Sequence, residues 1–104
     1  MRRASAVDSN QAEVVAALRK RGHLVQSLAA VGGGVPDLLV GVHDVYAAPG
    51  WRHVVLLEVK DGRKVPSARR LTDAELAWHA AWKGWPVYVV ECPEDAVRAV
   101  EGGA

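Results

Sequence analysis

The chain has one cysteine, Cys92, no phenylalanine, and charges that nearly cancel. A lone cysteine excludes an intrachain disulfide framework and a thiolate zinc cluster. It reads as a small apolar residue near a strand end rather than a reactive thiol. The 13 basic and 12 acidic side chains leave a formal charge of +1, which argues against a polybasic tail. Positive and negative patches can cancel in such a total, so nucleic acid stays open as a partner. No apolar run approaches the roughly 18 residues of a membrane span. The basic start, Met1-Arg2-Arg3, has no apolar stretch behind it of the kind a secretory signal needs. The expectation is a protein of a reducing compartment, away from membranes.

What is present suffices for a core. Half of the 104 residues are hydrophobic, mostly Val, Ala and Leu, with four Trp. A single domain over 1–104 is expected, with loose termini at 1–8 and 101–104. Val14, Val15 and Leu18 recur at helical spacing between Ser9 and Arg21, with Asp8 or Ser9 as the expected cap and Gly22 as the stop. Residues 24–28 read as a short strand, and Gly32-Gly33-Gly34 as a tight turn before a second strand at 37–42. Pro49-Gly50 marks a turn in the connection that follows.

Residues 53–60 give the strongest strand, whose unbroken apolar middle suggests burial on both faces. A polar, basic and flexible segment is expected from Gly62 to Arg70. Thr72 and Glu75 then form a capping box that opens a helix to about Lys83. Leu76, Trp78, Ala81 and Trp82 are the expected buried stripe of that helix. A last strand from Pro86 to Glu91 and a short helix from Asp95 to Val100, behind Pro93, complete the chain. This order predicts an α/β fold with a mixed central sheet flanked by helices, without fixing the strand pairing.

Three residues stand out chemically. Asp37 starts one strand, and Glu58-Val59-Lys60 ends the most apolar one. Period-two geometry puts Glu58 and Lys60 on the same side of their strand. If the two strands are neighbours, Asp37 and Glu58 converge, and their repulsion calls for a cation. Mg²⁺ or Mn²⁺ suits such oxygen donors, with the Val59 carbonyl as a further ligand. Lys60 then faces a phosphate or the attacking water. Taken singly, a Glu-x-Lys at a strand end is usually an exposed ion pair, and a Pro-Asp is usually a turn.

The ordered set Gly34-Val35-Pro36-Asp37-Leu38-Leu39-Val40, Leu57-Glu58-Val59-Lys60, Leu71-Thr72-x-x-Glu75-x-x-Trp78-His79 and Gly84-x-Pro86-Val87 resembles the VRR-NUC family of PD-(D/E)XK nucleases. The resemblance spans residues 9–92. It implies an αβββαβ restriction-endonuclease-like core, a Mg²⁺ or Mn²⁺ cofactor and hydrolysis of DNA phosphodiester bonds. It also implies a homodimer acting on branched DNA such as Holliday junctions, in a bacterial or phage-infected cytoplasm. Under it Asp37 and Glu58 are metal ligands, Lys60 is the catalytic lysine, and Glu13 on the first helix is a further ligand, direct or through water. Glu75 departs from the glutamine usual at its position. As a member of the capping box it also has a structural explanation.

Arg63, Lys64, Arg69 and Arg70 lie just beyond the strand that ends at Lys60, and phosphate contact is the expectation for them. Arg19, Lys20 and Arg21 could extend that track. His79 is open between substrate contact and packing, while His23, His43 and His53 lack zinc-site spacing. Trp82 and Trp85 read as core or dimer contacts before base-stacking groups. The Gly32–Gly34 run lacks the Gly-Lys-Ser/Thr of a Walker loop. Against a structure-selective endonuclease stand a nicking or restriction-like enzyme and a catalytically silent DNA-binding module. RNA as a substrate stays open.

Overall fold

The computed structural model describes residues 9–43 and 53–102. The expected loose start, the Asp8 cap and the Pro49-Gly50 turn lie outside them. Helix α1 (Gln11–Lys20) leads into strands β1 (Leu24–Ser27), β2 (Leu38–Gly41) and β3 (Val54–Val59). A 3-10 turn at Pro66–Arg69 precedes helix α2 (Asp73–Ala81), strand β4 (Val87–Val90) and helix α3 (Pro93–Glu101). The sheet order is β1-β2-β3-β4. β1, β2 and β3 pair antiparallel in sequence, and β4 lies parallel to β3, reached through α2. This is a mixed α/β domain with a four-stranded sheet flanked by helices, a generic restriction-endonuclease-like topology.

One sheet face carries the core. Leu38 and Val40 of β2 alternate inward with Val55, Leu57 and Val59 of β3, as period two requires. Val14 and Leu18, one helical turn apart, press α1 onto this layer, and Ala96, Ala99 and Val100 do the same for α3. Each fully buried Leu contributes about 1.5–3 kcal/mol.

The opposite face is largely open at one end. Leu24, Gly41 and Val54 stand in register across three strands, and Leu24 is 77% exposed. Helix α2 buries none of its residues. The expected buried stripe of Leu76, Trp78, Ala81 and Trp82 is therefore not one. Leu76 and Trp82 are exposed, and Trp82 stacks on Trp78 with ring centroids 4.8 Å apart.

Three other expectations change. Asn10, not Asp8 or Ser9, occupies the cap position of α1, and without a side-chain bond to the helix. The Ser9 hydroxyl instead donates to Asp61 at 2.6 Å. The segment from Gly62 to Arg70 is shaped by the 3-10 turn and by ion pairs of Arg63 and Arg69. Glu101 belongs to α3 rather than to a loose terminus, and its carboxylate is bound by Arg21 and His23. Among the described residues, no helix is long and apolar enough to cross a membrane.

Candidate metal and phosphate site

The site forms where β2 begins and β3 ends. The Gly32-Gly33-Gly34 turn uses positive φ angles throughout. A Cβ on Gly34 would lie 2.2 Å from the Ala74 carbonyl oxygen, so only glycine lets this loop meet the start of α2. The chain then enters β2 through buried Pro36, and the Asp37 carboxylate accepts the Val59 N–H at 2.7 Å. That bond fixes Asp37 against β3 in a pairing the sequence left open.

Glu58 lies on the sheet face opposite the core, beneath α2, and is 2% exposed. Its Oε1 atom is buried without a hydrogen-bond partner. Burial, the hydrogen bond and charge of Asp37, and the charge of Glu75 push its carboxyl up to about 10, with Lys60 opposing them. The same neighbourhood holds His79, whose Nε2 is also buried without a partner and lies 3.8 Å from Glu58 Oε1. Burial lowers the His79 pKa, which favours the neutral ring.

Lys60 Nζ contacts Glu75 Oε1 at 2.8 Å. The same oxygen accepts the Thr72 N–H at 2.8 Å, and the Thr72 hydroxyl accepts the Glu75 N–H at 3.2 Å. The capping box expected from Thr72 and Glu75 is therefore present, and it also anchors the lysine. Hydrogen bonds from Lys60 and Thr72, with the Lys60 charge, outweigh burial and hold the Glu75 carboxyl below its ordinary range.

These groups open into a cleft of about 550 Å³, whose lining includes Asp37, Glu58, Lys60, Lys64, Arg70 and Glu75. Asp37, Glu58 and Lys60 are thus brought together, with Lys64 and Arg70 at the same opening. Glu13 is not among them. It is exposed on α1 and pairs with Arg63 at 3.6 Å, at a separate depression shared with Asn10 and Cys92. Arg63 also grips Asp61 through two nitrogens, at 3.0 and 3.1 Å. Arg69 pairs with Glu91 at 3.1 Å. Half of the expected phosphate-binding cations are therefore committed to carboxylates away from the cleft.

Sequence reasoning missed Asn10. Its buried side-chain amide donates to the Lys60 carbonyl at 3.0 Å and to the Glu91 carbonyl at 3.1 Å. This clamp ties the ends of β3 and β4 together directly behind the lysine. An asparagine at a helix start signals a cap, and nothing local marks a partner 50 residues away.

Among the described residues, no group of three or more His, Cys, Asp or Glu side chains forms a ready-made metal cage. The donors that are present nevertheless fit a divalent cation. An orphaned carboxylate oxygen in a buried site beside a second carboxylate is an arrangement that a cation relieves. The chain matched no protein-family model, no curated protein and no solved structure when compared with them.

Proposed function

We propose that this protein is a divalent-metal-dependent endodeoxyribonuclease that hydrolyses phosphodiester bonds and selects branched DNA. The observation that carries this reading is buried Glu58, with its unpartnered oxygen, beside Asp37 and Lys60 in a cleft also lined by Lys64 and Arg70. Mg²⁺ or Mn²⁺ would be held by Asp37, Glu58 and the Val59 carbonyl. The carbonyl is included because the N–H and C=O of one strand residue point to the same side, and the Val59 N–H points to Asp37. Such an ion supplies Lewis acidity toward phosphate oxygens.

The chain's own groups do the rest. Glu75 fixes the Lys60 ammonium at one position, where it meets charge developing on the phosphate. Lys64 and Arg70 attract the strand's backbone by charge, without reading bases. Glu13 enters this reading only as a ligand acting through water or after movement, since it pairs with Arg63. The exposed apolar register of Leu24 and Val54 supports a second copy of the chain as partner. A two-fold dimer would offer two clefts to two strands.

The test incubates purified protein and either ion with matched linear, nicked, forked and four-way DNA, and with RNA. Cleavage of branched DNA that disappears in Glu58→Gln is the expected result. Binding of all substrates without cleavage, under any divalent ion, would overturn the nuclease reading in favour of a silent binding module. Equal cutting of linear and four-way DNA would leave a nicking or restriction-like enzyme.

A further inference from the structure

Glu58 and His79 present a problem that the proposed reaction does not by itself resolve. Two polar atoms, Glu58 Oε1 and His79 Nε2, are both shut off from solvent and both lack a hydrogen-bond partner. They face each other at 3.8 Å. That is too long for a hydrogen bond. Leaving both unsatisfied carries the full desolvation penalty of each group. Nothing local demands this pairing. His79 sits in the last turn of α2 and Glu58 near the end of β3, so the fold itself brings the two together.

A metal ion resolves the geometry. Bonds of about 2.1 Å to an imidazole nitrogen and to a carboxylate oxygen together span at most about 4.2 Å. The observed gap therefore admits a bent bridge with little movement of either side chain. We propose that His79 is a nitrogen ligand of the cation held by Glu58, and that the site consequently selects Mn²⁺ over Mg²⁺. The selectivity follows from ligand chemistry: Mg²⁺ takes oxygen donors and gives up its waters reluctantly, whereas Mn²⁺, a larger transition-metal ion, accepts an imidazole nitrogen beside its oxygen ligands more readily. Among the described residues no group of three His, Cys, Asp or Glu side chains is placed to hold an ion together, so the Glu58–His79 pair is where this site starts. The ion's other positions go to backbone, water or phosphate oxygens. Trp78 lies edge-on to the His79 ring, with centroids 5.9 Å apart.

This inference rests on the metal-dependent reading of the same cleft, and the experiment separates the two. Mn²⁺ bound to the protein without DNA is studied by pulsed electron paramagnetic resonance, alongside calorimetric titration with Mn²⁺ and with Mg²⁺. Nitrogen modulation from an imidazole is expected in the parent protein and its loss in His79→Gln. The variant's Mn²⁺ affinity should fall at least about tenfold, with Mg²⁺ affinity within about twofold. His79→Asn carries the same test if the glutamine variant does not fold, as judged by circular dichroism. Mn²⁺ bound with oxygen signals only, in a protein that still cleaves DNA, would remove His79 and leave the nuclease reading intact. Failure to bind either ion would remove both. Nitrogen modulation that survives in both variants would assign the signal to another histidine and overturn the proposal.

Discussion

The two ends of the sheet treat buried polar groups in opposite ways. At the end where β2 finishes, His23 is wholly buried and both ring nitrogens are used. Nδ1 accepts the His43 N–H at 3.0 Å, and Nε2 donates to Glu101 at 2.7 Å, an acceptor also held by Arg21. At the end where β3 finishes, Glu58 Oε1 and His79 Nε2 are buried with no partner, and three carboxylates share one cleft. A fold that satisfies one histidine so completely does not leave the other cluster unsatisfied for lack of means. Unsatisfied buried groups are costly, and in the reading proposed above a bound cation would supply the partner that Glu58 and His79 both lack.

The sharpest way to break this comparison is at Lys60. Replacing it by methionine keeps much of the stem's packing and removes the ammonium that Glu75 holds. Cleavage should fall on the order of 10²–10³-fold, while calorimetry shows metal binding largely retained. Loss of metal binding in Lys60→Met would mean that the lysine mainly supports the site's structure.

His23→Ala tests the satisfied end. It strips a buried ring from between the His43 N–H and Glu101 and leaves both without that partner. Unfolding stability should drop by about 2–3 kcal/mol. Cleavage measured well below the melting temperature should stay within about twofold of the parent. A catalytic defect as large as that of Lys60→Met would show that the two ends are not independent.

How far the sequence reveals each end follows from how local its signals are. Asp37, Glu58 and Lys60 are legible because strand ends and period-two spacing are properties of a few neighbouring residues. Thr72 and Glu75 are legible for the same reason. The His79–Glu58 encounter is not, because it depends on where α2 lies over β3. The misread stripe on α2 has a related cause. The spacing of Leu76, Trp78 and Trp82 reveals an apolar face but not whether anything covers it. Ser9 illustrates competition between partners. A hydroxyl before a helix suits a cap, yet Asp61, 52 residues away, is its acceptor. Glu101 read as tail because nothing near it predicts Arg21 or His23.

Glu58→Gln addresses the strained end itself. Without divalent ions the variant should be more stable than the parent near neutral pH, by on the order of 1 kcal/mol or more, because its amide is neutral in both states and need not take up a proton on folding. The pH dependence has a definite sign. The Glu58 carboxyl is raised to about 10, from 4.5 in the unfolded chain. Its contribution is therefore full below pH 4.5 and is lost as pH rises toward 10. Metal-free melting curves of the parent should fall across that window, and those of Glu58→Gln should be flatter. Added Mn²⁺ should raise the parent's melting temperature and leave the variant's unchanged. Parallel curves with and without the ion in both proteins would remove Glu58 from the metal site.

The smallest effect belongs to Glu101, and it runs the other way. The hydrogen bond from Arg21, the one from His23 and the charge of Arg21 hold its carboxyl below the ordinary range, against the pull of burial. A depressed carboxylate stabilises the fold above its unfolded pKa and loses that contribution as pH falls through the folded one. Glu101→Gln still offers an acceptor to Arg21 and His23, so stability near neutral pH should fall only slightly. The acid limb should differ more clearly: as pH falls through and below the ordinary carboxylate range, the parent should lose melting temperature faster than the variant. Identical acid limbs would mean that Arg21 and His23 contribute nothing through the charge of Glu101. The satisfied end would then be held by packing and neutral hydrogen bonds alone, and charge would distinguish only the end that bears Glu58.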